Sequence, residues 1–169
     1  RDGKIYNTVL IGNQCWLKEN LDVGTRINGS QTQANNNTIE KYCYNDNQTN
    51  CNTYGGLYQW NEAMQYVSTE GSKGICPEGW HIPTQAEFQT LGETVAGDGN
   101  ALKAASQGTG DGLGTNTSGF SALLAGDRYY DGYFGSLTYE AYFWSSSGCD
   151  LLNAGNLNLY YNDNLVYIG

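Results

Sequence analysis

The sequence predicts an α+β fold, on three observations. Short strand-like stretches open the chain, two stretches with helical spacing occupy its middle, and the remaining half is strand-like and heavy in turns. Strands and helices segregated along a chain in this way indicate α+β rather than alternating α/β architecture. The 169 residues suit a single domain over 1–169, because domains run to roughly 150 residues. No repeat of solenoid period is present.

Each element has its own signal. Between 4 and 17, Ile5, Val9 and Ile11 and then Cys15-Trp16-Leu17 predict two short strands turning at Gly12-Asn13. Residues 28–56, dominated by Asn, Gln, Thr and Gly, read as long loops. Leu57, Trp60, Met64 and Val67 fall at helical spacing, which predicts an amphipathic helix over 57–68. Thr84-Gln85-Ala86-Glu87 is a capping box, in which hydroxyl and carboxylate satisfy the free amides of a helix start. With Phe88, Leu91 and Val95 on one face, it predicts a second helix over 84–96, and Ala101–Ala105 adds one further turn. Gly108–Gly119 reads as a mobile loop, and Phe120–Leu124, Tyr142–Ser146, Leu157–Tyr161 and Leu165–Ile168 as short strands.

Composition narrows the function classes. The net charge is −9, from 8 Lys plus Arg against 17 Asp plus Glu, and Arg128 is the last basic residue. Nucleic-acid backbones and anionic membranes both attract clustered cations, so neither is an expected partner. No window approaches the ~20 apolar residues of a membrane helix, and no membrane insertion is expected. The first residues, Arg1-Asp2-Gly3-Lys4-Ile5, carry no apolar signal core, so a secretory leader is expected to be already removed or never present. With 23 Gly, 19 Asn and 14 Tyr, the chain is too aromatic for a disordered segment. It reads as a loop-rich fold with a Tyr- and Asn-decorated surface.

The chemistry-bearing residues are few. The five cysteines are Cys15, Cys43, Cys51, Cys76 and Cys149, with no C-x-x-C pair, and His81 is the single histidine. Structural zinc wants paired ligands at short spacing, so no metal is expected. Cys43 and Cys51 bracket a polar loop suited to a disulfide, which implies an oxidising compartment; separate buried thiols are the competing reading. His81 lies between Trp80 and Ile82-Pro83 without a nucleophile elbow, and a histidine bonded to nearby backbone is expected rather than a general base. The glycines of 108–114 lack the Lys-Ser/Thr of a phosphate loop. Asp98-Gly99-Asn100 and Asp111-Gly112 carry calcium-type oxygens without the EF-hand pattern. The four N-x-S/T triplets, starting at Asn28, Asn36, Asn47 and Asn116, are expected by chance in such a composition. No cofactor and no catalytic residue is expected.

Several ordered motifs carry a family resemblance. Asn13-Gln14-Cys15-Trp16-Leu17-Lys18-Glu19-Asn20-Leu21, Tyr42-Cys43-Tyr44-Asn45 up to Cys51, and Tyr54-Gly55-Gly56-Leu57-Tyr58-Gln59-Trp60 resemble the FISUMP family. This is the major paralogous domain of fibre-degrading bacteria, a prokaryotic surface-protein module. Ile75-Cys76-Pro77-Glu78-Gly79-Trp80-His81-Ile82-Pro83-Thr84 is similar to its most distinctive motif, and Phe120–Gly126 and Tyr142–Ser147 resemble later ones. The resemblance implies a C-type-lectin-like fold of the branch shared with formylglycine-generating enzymes, with 57–68 and 84–96 as its two helices beside a small antiparallel sheet. The cysteine pair of the copper site in those enzymes has no match here, so their activity is not implied. Relatives continue past a final strand with a Val-Arg-Cys-like ending that this chain lacks, which leaves the partner of Cys76 either absent or Cys15. The implied location is extracellular, on a prokaryotic cell or a viral particle.

Some domains of this resemblance are targets of diversity-generating retroelements, in which template adenines are corrupted. By the genetic code, AAC and AAT codons altered in this way never yield Lys, Glu, Gln, Met or Trp. Those five types make up 27 of the 169 residues, and none of the 25 residues after Trp144 belongs to them, where an even spread would put about four. The competing reading is that Asn-, Tyr- and Leu-rich strands simply lack them. Where relatives tend to show Trp or Arg near 155, 157 and 168, this chain has Gly155, Leu157 and Ile168.

The expected function is therefore non-enzymatic binding of a protein or glycan ligand by a diversified surface. Its expected residues are Asp127, Tyr129, Tyr130, Tyr133, Cys149, Leu151, Leu152, Gly155, Asn156, Leu157, Asn164, Leu165, Tyr167 and Ile168. Tyr supplies contact area at low entropy cost and Asn supplies adaptable hydrogen bonds, as in antibody loops. Buried Trp16, Trp60, Trp80 and Trp144 are expected to hold the scaffold. The alternatives are an invariant surface adhesion or carbohydrate-binding module, stacking sugars on Tyr129, Tyr130 and Tyr133, and an enzyme of the formylglycine-generating branch.

Overall fold

The computed structural model describes residues 3–150 and 153–169, with the backbone alone at Cys149, Asp150 and Asn153. The chain opens with the antiparallel pair β1 (Thr8–Ile11) and β2 (Gln14–Leu17), turning at Gly12, whose φ of 60° suits a residue without Cβ. The two-residue parallel strands β3 (Thr25–Arg26) and β4 (Glu40–Lys41) follow, and then the helices α1 (Gln48–Tyr54), α2 (Trp60–Ala63), α3 (Gln85–Thr94) and α4 (Gly99–Leu102). The last part is all strand. β5 (Ala125–Arg128) and β6 (Phe134–Leu137) form a hairpin. β7 (Glu140–Asp150), β8 (Asn153–Tyr160) and β9 (Tyr167–Ile168) form an antiparallel sheet in that order, with β5 packed beside β7. Short helices ahead of a strand-rich end make the fold α+β.

The α3 start is formed as the capping box requires: the Glu87 amide donates to Thr84 Oγ1 at 3.1 Å and the Thr84 amide to Glu87 Oε2 at 2.8 Å. The helix stops at Thr94, two residues short of the expected end, because Ala96 and Gly97 take positive φ.

The helix expected over 57–68 shrinks to Trp60–Ala63. Leu57 spends both backbone groups on Tyr42, at 2.9 Å each, and Gln65 and Tyr66 turn left-handed. Met64 is buried while Val67 is half exposed, so helical spacing there did not signal a helical face.

The polar 28–56 stretch is not all loop. Asn47 caps α1 by accepting from the Thr49 amide at 3.0 Å, and the Cys43–Cys51 disulfide ties α1 to the 3-10 turn Tyr44–Asp46 before it. Cys15 lies exposed on β2, Cys76 is buried, and no bond joins them.

Phe120–Leu124 is no strand, since Ser121 sits at φ 66°. Phe120, Ala122 and Leu124 nonetheless alternate into the core.

The loop over 108–119 is tied down. Buried Lys103 donates from Nζ to the carbonyls of Gly112 (2.5 Å), Tyr160 (2.7 Å) and Asp163 (2.8 Å). A Cβ on Gly112 would meet Tyr161 O at 2.3 Å, so the close approach demands glycine.

Two apolar clusters result. The larger joins Trp16, Phe88, Leu91, Phe120, Leu157 and Leu159, with Trp16 stacked on Phe88 at 5.7 Å. The smaller joins Val23, Met64, Ile75, Cys76 and Ile82 beneath Tyr58, Trp60 and Trp80.

Candidate functional site

Strand periodicity builds the site. Successive side chains of a strand point to opposite faces, and the β7–β8 register pairs Phe143 with Leu157 and Ala141 with Leu159 on the core side. The opposite face therefore receives Glu140, Tyr142 and Trp144 from β7, Asn156, Asn158 and Tyr160 from β8, and Tyr167 from β9 opposite Asn158. Tyr142, Trp144 and Tyr167 are all exposed there. Beside them the β5–β6 hairpin tip lifts Tyr129, Tyr130 and Tyr133 into solvent, with Tyr130 94% exposed.

These rings are held in place. Trp144 Nε1 donates to Tyr58 O at 2.8 Å, and the Tyr142 hydroxyl to Glu140 Oε2 at 2.5 Å. Tyr160 and Tyr167 meet edge to face at 5.1 Å, and the Tyr167 hydroxyl donates to Asp163 Oδ2 at 3.1 Å. Tyr129 and Tyr133 stack at 6.1 Å. Next to Asp127, Arg128 donates to Gly29 O and Gln31 O and lies 4.3 Å from the centre of the Tyr42 ring. A groove of about 1620 Å³, lined also by residues 13–21, 56–61 and 79–83, reaches this region at Asp127, Arg128, Tyr130, Tyr142, Trp144 and Asn156.

The polar groups carry unspent acceptors. Asp127 Oδ1 and Asn158 Oδ1 are buried and receive no hydrogen bond within the protein. Burial pushes the Asp127 carboxyl up, and the charge of Glu140 adds to it. Burial likewise pushes the Tyr142 phenol up, reinforced by its bond to Glu140.

The expected site residues divide. Tyr129, Tyr130, Tyr133, Asn164, Leu165 and Tyr167 are exposed, and Asp127 and Asn156 are half-buried in the groove wall. Leu157 does not belong to the face: it is 0% exposed, because the register turns it into the core beside Phe143. Ile168, paired with Leu157, also packs against the core. Gly155 is crowded, since a Cβ there would lie 3.0 Å from both Gly169 O and Ser147 O. Leu151 and Leu152 lie outside the described residues, as does the Cys149 side chain. Of the four leucines expected at the site, Leu165 is the one described as exposed.

The tryptophans divide as well. Trp16 is buried at 8% exposure, Trp60 and Trp80 are half-buried, and Trp144 stands on the outer face at 36%. Sequence reasoning missed Glu140, Tyr142, Asn158 and Tyr160. The Asn-Leu-Asn-Leu alternation over 156–159 was the signal for β8, whereas Ala141-Tyr142-Phe143-Trp144 is an unbroken hydrophobic run that does not separate the faces of β7.

The remaining candidates have local structural duties. His81 Nε2 lies 2.9 Å from Glu87 Oε1 rather than on backbone, and the pair is partly exposed. Asp98 caps α4 through the Asn100 amide at 2.9 Å, and Asn100 Nδ2 donates to Asp111 O at 2.8 Å. Among the described residues, no three His, Cys, Asp or Glu side chains gather in a metal-holding group. No helix among them is long and apolar enough to cross a membrane.

The geometry thus defines an α+β domain that presents a tyrosine-rich sheet face. The family model described as the Fibrobacter succinogenes major domain matches residues 9–164, and the chain belongs to that family. No curated protein and no solved structure matches it.

Proposed function

We propose that this domain is a non-enzymatic recognition module. It adopts the C-type-lectin-like fold of the formylglycine-generating branch and binds a protein or glycan ligand through the outer face of β7–β9 and the β5–β6 tip. The observation that carries this reading is the division by face of the described residues in 140–148 and 154–168. Leu157, Leu159 and Ala141 are sealed inside, while Tyr142, Trp144, Asn156, Asn158 and Tyr167 line the outside. Tolerance to change belongs on such an outer face, because exposed substitutions away from caps and core seldom cost more than about 0.5 kcal/mol. The absence of Lys, Glu, Gln, Met and Trp after Trp144 supports a diversity-generating retroelement as the source of variation. The module acts outside the cell, on a prokaryotic or viral surface.

The test is comparative sequencing of the locus and its isolates. A neighbouring reverse transcriptase should accompany a template repeat that differs from this 3′ region at adenines alone. Codons for Asn156, Asn158 and Tyr167 should vary, while those for Ala141 and Leu159 stay constant. Variation spread equally over both faces, or the lack of any repeat, overturns the diversified reading and leaves an invariant adhesion module.

A further inference from the structure

Resting on that reading, we propose that the face selects a cationic ligand: a protein segment presenting arginine side chains to Tyr142, Tyr160 and Tyr167 beside Glu140 and Asp127. Charge is the first reason. From residue 129 to the end the chain has no Lys, Arg or His, yet it carries Asp131, Glu140, Asp150 and Asp163, within a molecule of net charge −9. A field of one sign steers oppositely charged partners. The second reason is the cation deficit. Among the described residues no Lys, Arg or His is ion-paired with Asp127 or Glu140, and a carboxylate without a cation gains when a ligand supplies a guanidinium.

The third reason is ring geometry. The Tyr142 and Tyr167 hydroxyls are already committed to Glu140 and Asp163, and Tyr160 braces Tyr167 edge to face. Ring faces flanked by carboxylates are what a guanidinium uses, since it stacks and donates at once. The chain makes the same pairing internally, where Arg128 lies over Tyr42 while donating to Gly29 O. Arginine suits the site better than lysine, because its planar fork can donate to a carboxylate while its face lies on a ring.

The experiment uses the intact chain and four fluorescent probes: alternating Arg-Gly, Lys-Gly and Glu-Gly dodecapeptides, and cellohexaose. Binding is read by anisotropy at about 20 and 200 mM sodium chloride. The Arg-Gly peptide should bind most tightly, followed by Lys-Gly, and should weaken by roughly fivefold or more at the higher salt. Tyr142→Ala and Asp127→Asn should each weaken it by about threefold or more with melting temperature held. Glu93→Gln and Glu78→Gln remove the same charge elsewhere and should change it by less than about twofold.

Equal losses in all four variants would mean a diffuse charge effect and overturn the site. Binding of Glu-Gly alone, or no binding by any probe, overturns it too. Binding of cellohexaose with the Arg-Gly peptide silent overturns the cationic ligand while leaving the face a recognition surface, and so separates the two readings.

Discussion

At the scale of single residues, buried Lys103 is the most consequential side chain outside the site. Its ammonium replaces water with three main-chain carbonyls and so joins α4 to the 108–114 loop and the end of β8. Lys103→Met removes the donor and strands those carbonyls, at a cost of about 2–4 kcal/mol measurable by urea unfolding. A melting curve unchanged by that substitution would show the loops to be held by other contacts. Glu87 gives the pH-dependent counterpart. Burial alone would raise its carboxyl, but the Thr84 amide and His81 outweigh burial and hold it below the usual range. A carboxyl held low in the fold stabilises above its unfolded value, near 4.3. That contribution is lost as pH falls through the folded value. Unfolding free energy should therefore drop below about pH 4.5 in the wild type, with a shallower acid limb in Glu87→Gln.

At the scale of elements, the disulfide and the caps substitute for long regular structure. α1 has seven residues and one buried side chain, Cys51, so packing alone holds it weakly. Closing the short Cys43–Cys51 loop stabilises by roughly 2–3 kcal/mol in the chain-entropy account. Reduction, or the Cys43→Ala/Cys51→Ala double variant, should lower stability by about that amount and leave α3 intact by hydrogen exchange. Here the sequence was partly legible. The thiol pair and the α3 capping box are local chemistry and could be read directly. The α1 helix was hidden, because Gln48-Thr49-Asn50 carry no apolar period and its formation depends on a cap and a covalent tie. The 57–68 reading erred in the opposite direction. Its periodic residues were real, but the Leu57 backbone had a stronger partner in Tyr42.

At the scale of the whole molecule, one sheet separates a core from an exposed aromatic face. Leu157→Ala should cost about 2–5 kcal/mol, because it empties a fully enclosed position beside Phe143. Tyr167→Ala and Tyr130→Ala should stay within about 0.5–1 kcal/mol of wild type. Thermal unfolding of the three variants checks the division, and equal losses at Leu157 and Tyr130 would contradict it.

The sequence by itself determined the fold class, the family motifs, the disulfide pair, the α3 start and the tyrosine- and asparagine-rich character of the strand-rich end, since each is written in local pattern or composition. Tertiary structure alone decided which of those residues face outward. Leu157 and Asn158 are chain neighbours of similar promise on paper, and the pleat of β8 sends one into the core and the other to the surface. A shift of register by one residue would exchange them; the Asn–Leu alternation of β8 separates its two faces, and packing against Phe143, Ala141 and α3 decides that the leucine face is the one turned inward.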